Sequence, residues 1–177
     1  GARIHVGTDL GEGSLLVQNG SSLVIDNTGA AGRIDGAGLQ ISNVIDTNGT
    51  PALEGRVDII DSAASITSDD GTAFINVGRD GVGTLNVTNS LVAIQGNNSS
   101  AALTLGGPGT FAILNVGRHA TGTVSTLNVI NGSTVVVQND DAPQQTSINI
   151  GRSGTTGVMN VDASSVTVGD FLNVGRD

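Results

Sequence analysis

A five-residue phrase recurs along this chain. Ile75-Asn76-Val77-Gly78-Arg79 returns as Leu114-Asn115-Val116-Gly117-Arg118, as Ile148-Asn149-Ile150-Gly151-Arg152 and as Leu172-Asn173-Val174-Gly175-Arg176, with Ile4-His5-Val6-Gly7 as a looser copy. The four full copies lie 24 to 39 residues apart. Each is a short apolar–polar–apolar strand halted by glycine. Self-similarity on this scale indicates stacked supersecondary units. One such unit cannot bury its apolar face alone, so it must lie on a neighbour. The phrase constrains architecture strongly and function weakly, because no catalytic motif rides on it.

Two more strands follow each copy. The second strands are Leu85-Asn86-Val87, Leu127-Asn128-Val129 and Met159-Asn160-Val161. The third are Ser90 to Ile94, Ser133 to Val137 and Ser164 to Val168. A period of two puts Val92 and Ile94, Val135 and Val137, and Val166 and Val168 on one face. The serine opening each third strand can bond nearby backbone and set the turn. The same grammar reaches the first half. Leu15-Leu16-Val17 and Ser21 to Ile25 complete a first rung, while Leu39-Gln40-Ile41, Val57-Asp58-Ile59 and Ser62 to Ile66 make a degenerate second.

The expected fold is therefore all-β: a right-handed parallel β-helix of about five three-stranded rungs plus the start of a sixth, with the hand set by the rule for parallel crossovers. Residues 1–177 form one solenoid block, in which 1–25 is the first rung, 26–73 the degenerate rung and 74–177 the regular repeats. Corner loops differ in length, and Leu103-Thr104-Leu105 is a candidate extra strand in the longest. A solenoid accommodates such insertions because they project from corners. Phe74, Phe111 and Phe171 each stand just before a first strand, and large apolar residues there are expected to fill a corner of the core.

Composition narrows the function classes. The 27 Gly and 3 Pro suit strands joined by tight turns, and an apolar fraction of 37% with regular spacing argues against disorder. Sixteen acidic residues oppose seven Arg, with no Lys, for a net charge of −9. That balance excludes nucleic acid, which needs a basic footprint. Trp and Tyr are absent, so the usual sugar-stacking platforms are missing. There is no Cys, hence no disulfide or thiolate metal site. No apolar run is long enough for a membrane-spanning helix, and no direct membrane insertion is expected of this segment. The chain opens within a repeat phrase, as an excised or processed piece would.

The outward middle positions of the strands form columns. Asn76, Asn115, Asn149 and Asn173 make one, headed by His5 and Gln40. Asn86, Asn128 and Asn160 make another, headed by Leu16 and Asp58. Amides stacked at the strand spacing of about 4.8 Å can bond from rung to rung as a ladder. The functional alternative is a flat polar face that contacts glycan or a neighbouring fibre. Arg79, Arg118, Arg152 and Arg176 share one turn, interrupted by Thr8 and Asn43 in earlier rungs. Cations about 5 Å apart repel by about 1 kcal/mol even in water. They need interleaved anions, for which Asp80 and Asp177 are the internal candidates, or a bound acidic ligand.

Catalysis finds little support. His5 reads as a variant of the amide column, and His119 lies three rungs away, so the two cannot form a dyad. Asp58 is the only carboxylate in the two columns, so no acid pair of the glycosidase kind is expected. Asp69, Asp70, Asp140, Asp141 and Asp170 cluster in the third-to-first-strand corners with Asn97 and Asn98. Oxygen ligands of that kind could hold Ca²⁺. A solvated acidic corner is the simpler reading, and neither a metal nor a cofactor is expected.

The Leu-Asn-Val-Gly-Arg, Gly-x-Leu-Asn-Val and Ser-x-Val-x-Val phrases resemble the repeats of bacterial autotransporter passenger domains and of PEP-CTERM-associated exported proteins. The resemblance covers Phe74 to Asp177 well and Asn27 to Gly71 weakly. It implies a β-solenoid at or outside the cell surface with adhesive, matrix or scaffolding roles, and it carries no catalytic residues. The expected function is thus a structural or adhesive surface protein rather than an enzyme. A polysaccharide-acting lyase or hydrolase is the alternative, and an ice- or mineral-binding solenoid ranks third because the threonines are scattered. Neither end carries an obvious cap, so the partner expected first is self. Ile4, Val6, Leu172 and Val174 would flank a head-to-tail junction or the continuation of a longer rod.

Overall fold

The computed structural model describes residues 1–8, 11–28, 36–43, 52–69, 71–96, 111–119, 122–139 and 145–176, leaving aside the side chains of Ala52, Leu53 and Arg176. The chain coils as a right-handed parallel β-helix, and every strand pair is parallel. The first strands of successive turns are β1 (Ala2–Thr8), β4 (Ala37–Asn43), β7 (Ala73–Val77), β10 (Ala112–Val116), β13 (Thr146–Arg152) and β16 (Phe171–Arg176). They form a six-stranded sheet in that order. The second strands are β2 (Gly13–Gln18), β5 (Ala52–Ile60), β8 (Gly81–Thr88), β11 (Val124–Ile130) and β14 (Thr156–Asp162). The third are β3 (Ser22–Asn27), β6 (Ala63–Ser68), β9 (Leu91–Gly96), β12 (Thr134–Asn139) and β15 (Ser165–Val168). Each of these sets makes a five-stranded sheet.

Alternation decides what is buried. Ile75, Val77, Leu85, Val87, Val92 and Ile94 of the third rung point inward and are at most 1% exposed. Their axial partners are also apolar: Ile75 lies between Leu39 and Leu114, and Val87 between Ile59 and Val129. The degenerate second rung keeps this register throughout, with one irregularity between Ala52 and Gly55. Apolar side chains therefore stack on apolar side chains along the axis. At about 1.5–3 kcal/mol for each fully buried side chain, this continuous core is the main favourable term. The stretch Leu103 to Leu105 lies outside the described residues.

Two corners repeat with distinct chemistry. Between first and second strands, Gly7, Gly78, Gly117, Gly151 and Gly175 all take φ between 67° and 74°. In the second rung Ser42 holds that left-handed conformation instead, at φ 57°. Between second and third strands Asn19, Asp61, Asn89, Asn131 and Ala163 are left-handed, four of them the residue types that tolerate it best.

In three of these turns the serine that follows, Ser90, Ser133 or Ser164, links rungs as well as closing its own turn. Ser133 Oγ shares its one proton between the carbonyls of Ile130 (2.6 Å) and Val87 (3.0 Å) and accepts from Ser90 N at 3.2 Å. Ser90 Oγ serves Ser62 N in the same way, and Ser164 Oγ serves Ser133 N. Both Ser90 and Ser133 are buried. We expect Ser133→Ala to cost about 1–3 kcal/mol, because Ser90 N loses its acceptor where water is scarce. A denaturant midpoint unchanged from wild type would refute the linking role.

The phenylalanines depart from expectation. None belongs to the core, and Phe111 and Phe171 are 39% and 57% exposed. Phe74 stands between inward Ala73 and Ile75, so the period of two sends its ring outward. There it covers Gly38, where any Cβ would collide with the ring.

Candidate functional site

The outer face of the first sheet holds a groove of about 300 Å³. Its floor is part of the first amide column, Gln40, Asn76 and Asn115, whose side chains leave β4, β7 and β10 on the side opposite the inward Leu, Ile and Val residues. Asn173 Nδ2 donates to Asn149 Oδ1 (2.9 Å), Asn149 to Asn115 (2.9 Å) and Asn115 to Asn76 (2.7 Å). Asn115 and Asn149 are thus axial neighbours. The ladder stops there, because Gln40 Oε1 is buried without a partner. The amides stack from rung to rung as the ladder reading has it, and they do not form the alternative flat, solvent-facing surface: Asn76, Asn115 and Asn149 are only 2–3% exposed. Phe74 and Ile113 flank the floor on one side and Arg79, Arg118 and Arg152 on the other. Those flanking groups cover the amides, and their reach across rungs could not be read from strand alternation alone.

The second amide column stays at the surface. Asn160 donates to Asn128 (2.8 Å), Asn128 to Asn86 (2.8 Å) and Asn86 to Asp58 Oδ1 (2.6 Å). Asp58 also accepts two bonds from Arg56, at 2.7 and 3.0 Å. The Arg56 hydrogen bonds, and secondarily that from Asn86, hold the Asp58 carboxyl below its ordinary range against the opposing effect of burial. Asp58 is therefore an ionised, fully engaged acceptor and not a proton donor at neutral pH.

The arginine turn is unevenly compensated. Arg79 donates to Asn43 Oδ1 at 2.6 Å, so the residue that interrupts the sequence column serves as its partner. Asp80 lies 3.6 Å from Arg79 Nε, beyond hydrogen-bond length. Among the described residues, no hydrogen bond or ion pair reaches the guanidinium of Arg118 or Arg152, and Nε of Arg118 is buried without a partner. Internal pairing by Asp80 accordingly covers only Arg79. Burial, then the charges of Arg79 and Arg152, push the Arg118 pKa down, with Asp80 opposing. Arg176 follows Arg152 in backbone register, but its side chain and Asp177 lie outside the described residues.

No family model, curated protein or solved structure matches this chain.

The remaining candidates are scattered. His5 bonds Asn43 Nδ2 at 3.3 Å in the first rung, and His119 sits beyond β10 in the fourth. Strands β4 and β7 lie between β1 and β10, so the histidines do not meet. Asp69 and Asp170 lie in separate third-to-first-strand corners, while Asp70, Asp140 and Asp141 fall outside the described residues. Among the described residues no three His, Asp or Glu gather as a metal site, and no helix is long and apolar enough to cross a membrane. At the junction positions Val6 is 6% exposed and Ile4 half-buried, whereas Leu172 and Val174 are 53% and 74% exposed. The two ends are thus unequally covered.

Both histidines carry a pH consequence. Burial first, then Arg3 and Arg79, lower the His5 pKa from the ordinary 6.5. Burial first, then Arg118, lower that of His119, with Asp80 opposing and Arg79 and Arg152 adding smaller effects. A depressed folded-state pKa means that the unfolded chain binds more protons. The associated stability is complete above 6.5 and is lost as pH falls through the folded-state values. Denaturant midpoints should therefore decline as pH drops from about 7 to about 5, and the decline should shrink in a His5→Asn/His119→Asn variant. An equal slope in both proteins would sink this assignment.

Proposed function

We propose that this chain is a structural and adhesive module of an extracellular or bacterial cell-surface rod, acting by presenting regular faces and not by catalysis. The supporting observation is the unfinished state of the last described turn. Leu172 and Val174 stand in register with Ile148 and Ile150, and Val161 with Val129, all core positions in interior rungs. At the end of the stack they are exposed, together with Phe171. The open edges of β14, β15 and β16 also offer unpaired backbone groups. A further rung fits this surface in geometry and polarity. It would come from continuation of the same chain or from a second copy stacked head to tail, and either arrangement makes a long rod.

The repeat phrases that resemble autotransporter and PEP-CTERM-associated proteins support a surface location. The engagement of Asp58 by Arg56 and Asn86 favours the non-enzymatic reading over a polysaccharide-cleaving one. Sedimentation velocity over a wide concentration range, with electron microscopy of the same samples, tests the proposal. Concentration-dependent rods, or a natural polypeptide that continues the repeat, are expected. A natural product of this length that stays monomeric at high concentration would overturn it.

A further inference from the structure

The groove over the first sheet combines three features that a purely structural face does not need. It concentrates positive charge that the described residues neutralise only in part, through Asp80 beside Arg79. Arg118 and Arg152 neighbour each other on adjacent rungs without an acceptor among the described residues, although the chain carries an excess of acidic residues. It holds an unused acceptor on its floor: Gln40 is 5% exposed and its Oε1 is unpaired. It has an apolar wall, where the Phe74 ring lies against the backbone of Gly38 and 5.8 Å from the Arg3 guanidinium.

These features specify a ligand chemistry. A guanidinium fork matches a carboxylate through two parallel N–H···O bonds. Gln40 Oε1 can accept only from a donor, such as a hydroxyl. Asn115 spends one of its two amide N–H groups on Asn76 and, among the described residues, keeps the other. An aromatic face beside these groups suits the C–H face of a sugar ring. The net charge of −9 disfavours densely charged polyanions, since the field of the whole chain repels them. We propose that the groove binds an acidic saccharide, with the uronate carboxylate on Arg118 and Arg152, hydroxyls on Gln40 and Asn115, and a sugar face on Phe74. The site needs only a single chain, so it stands or falls independently of rod formation.

Titration calorimetry of the chain with a linear hexuronate trisaccharide tests this, against the neutral hexose trisaccharide of the same linkage, inorganic sulfate and a short poly-glutamate peptide. One uronate site is expected, with the three controls at least about tenfold weaker. Arg118→Gln and Arg152→Gln should each weaken uronate binding by about ten- to a hundredfold, as for loss of a charged hydrogen bond. Phe74→Ala should weaken it less, and Arg56→Gln, on the second sheet, should leave it unchanged. Thermal melting of free Arg118→Gln should match or exceed wild type, because a crowded charge has been removed. The proposal is overturned by absence of uronate binding, by equal affinity for the neutral sugar, sulfate or peptide, or by wild-type affinity in both arginine variants.

Discussion

Val135→Asp is expected to unfold the stack. Val135 is 2% exposed and sits between Val92 and Val166 on the neighbouring rungs, with no cation or donor beside it among the core residues. An unpaired carboxylate there must be desolvated or protonated, at a cost of about 4 kcal/mol or more. That is a large fraction of the roughly 5–15 kcal/mol by which ordinary domains are stable. Circular dichroism should show the strand signal lost, or the denaturant midpoint sharply lowered, with partial recovery in acid. Val166→Asp provides the contrast, because Val166 in the last complete rung is only partly buried. It should leave the isolated chain folded and abolish any concentration-dependent assembly through that end. Equal damage from both substitutions would mean that the terminal rung is already covered.

The second large effect is expected at Gly78. Gly78 and Gly175 share φ 67°, but their surroundings differ. A Cβ on Gly78 would overlap Ser125 Oγ and come within 2.7 Å of Ser125 Cβ and 2.8 Å of the Gly81 carbonyl oxygen. A Cβ on Gly175 meets nothing within 4 Å. Gly175→Ala should therefore carry only the left-handed backbone cost, about 1 kcal/mol. Gly78→Ala adds a collision with buried neighbours and should cost about 3 kcal/mol or more. Ser125→Gly in the Gly78→Ala background should restore part of the loss, although it also removes the bonds of Ser125 Oγ to Gly83 N and the Gly81 carbonyl. Similar losses for Gly78→Ala and Gly175→Ala would show that the backbone conformation alone matters.

This pair illustrates why some of the fold was legible and some was not. The glycine turn is visible as a repeated letter. The reason Gly78 tolerates nothing larger lies 47 residues further on at Ser125, in the rung stacked above it, where the second-strand position otherwise held by Gly55, Gly83 and Gly157 carries a hydroxyl. Likewise Asn43 looks like a gap in the arginine column until its amide is seen to accept from Arg79. Phe74 gave a signal that could have been used. It adjoins inward Ile75, so a strict alternation already places its ring outside, and the expectation of a core corner relied on residue type over phase.

The sequence by itself determined the number of turns, the three strands of each, the inward and outward phase and the axial alignment of the Asn columns. It could do so because a parallel stack repeats one local rule, and a side-chain period of two leaves no second way to bury the Val, Ile and Leu residues. Only the tertiary structure decided that the first amide column is buried while the second stays at the surface, that among the described residues Arg79 has a hydrogen-bond acceptor while Arg118 and Arg152 have none, and that the two ends differ in exposure. Those outcomes depend on how long side chains from different rungs lie over one another, and rotamer, length and neighbour are not encoded in the repeat. The groove is the joint product of five turns, from Arg3 to Arg152, and no single turn contains it.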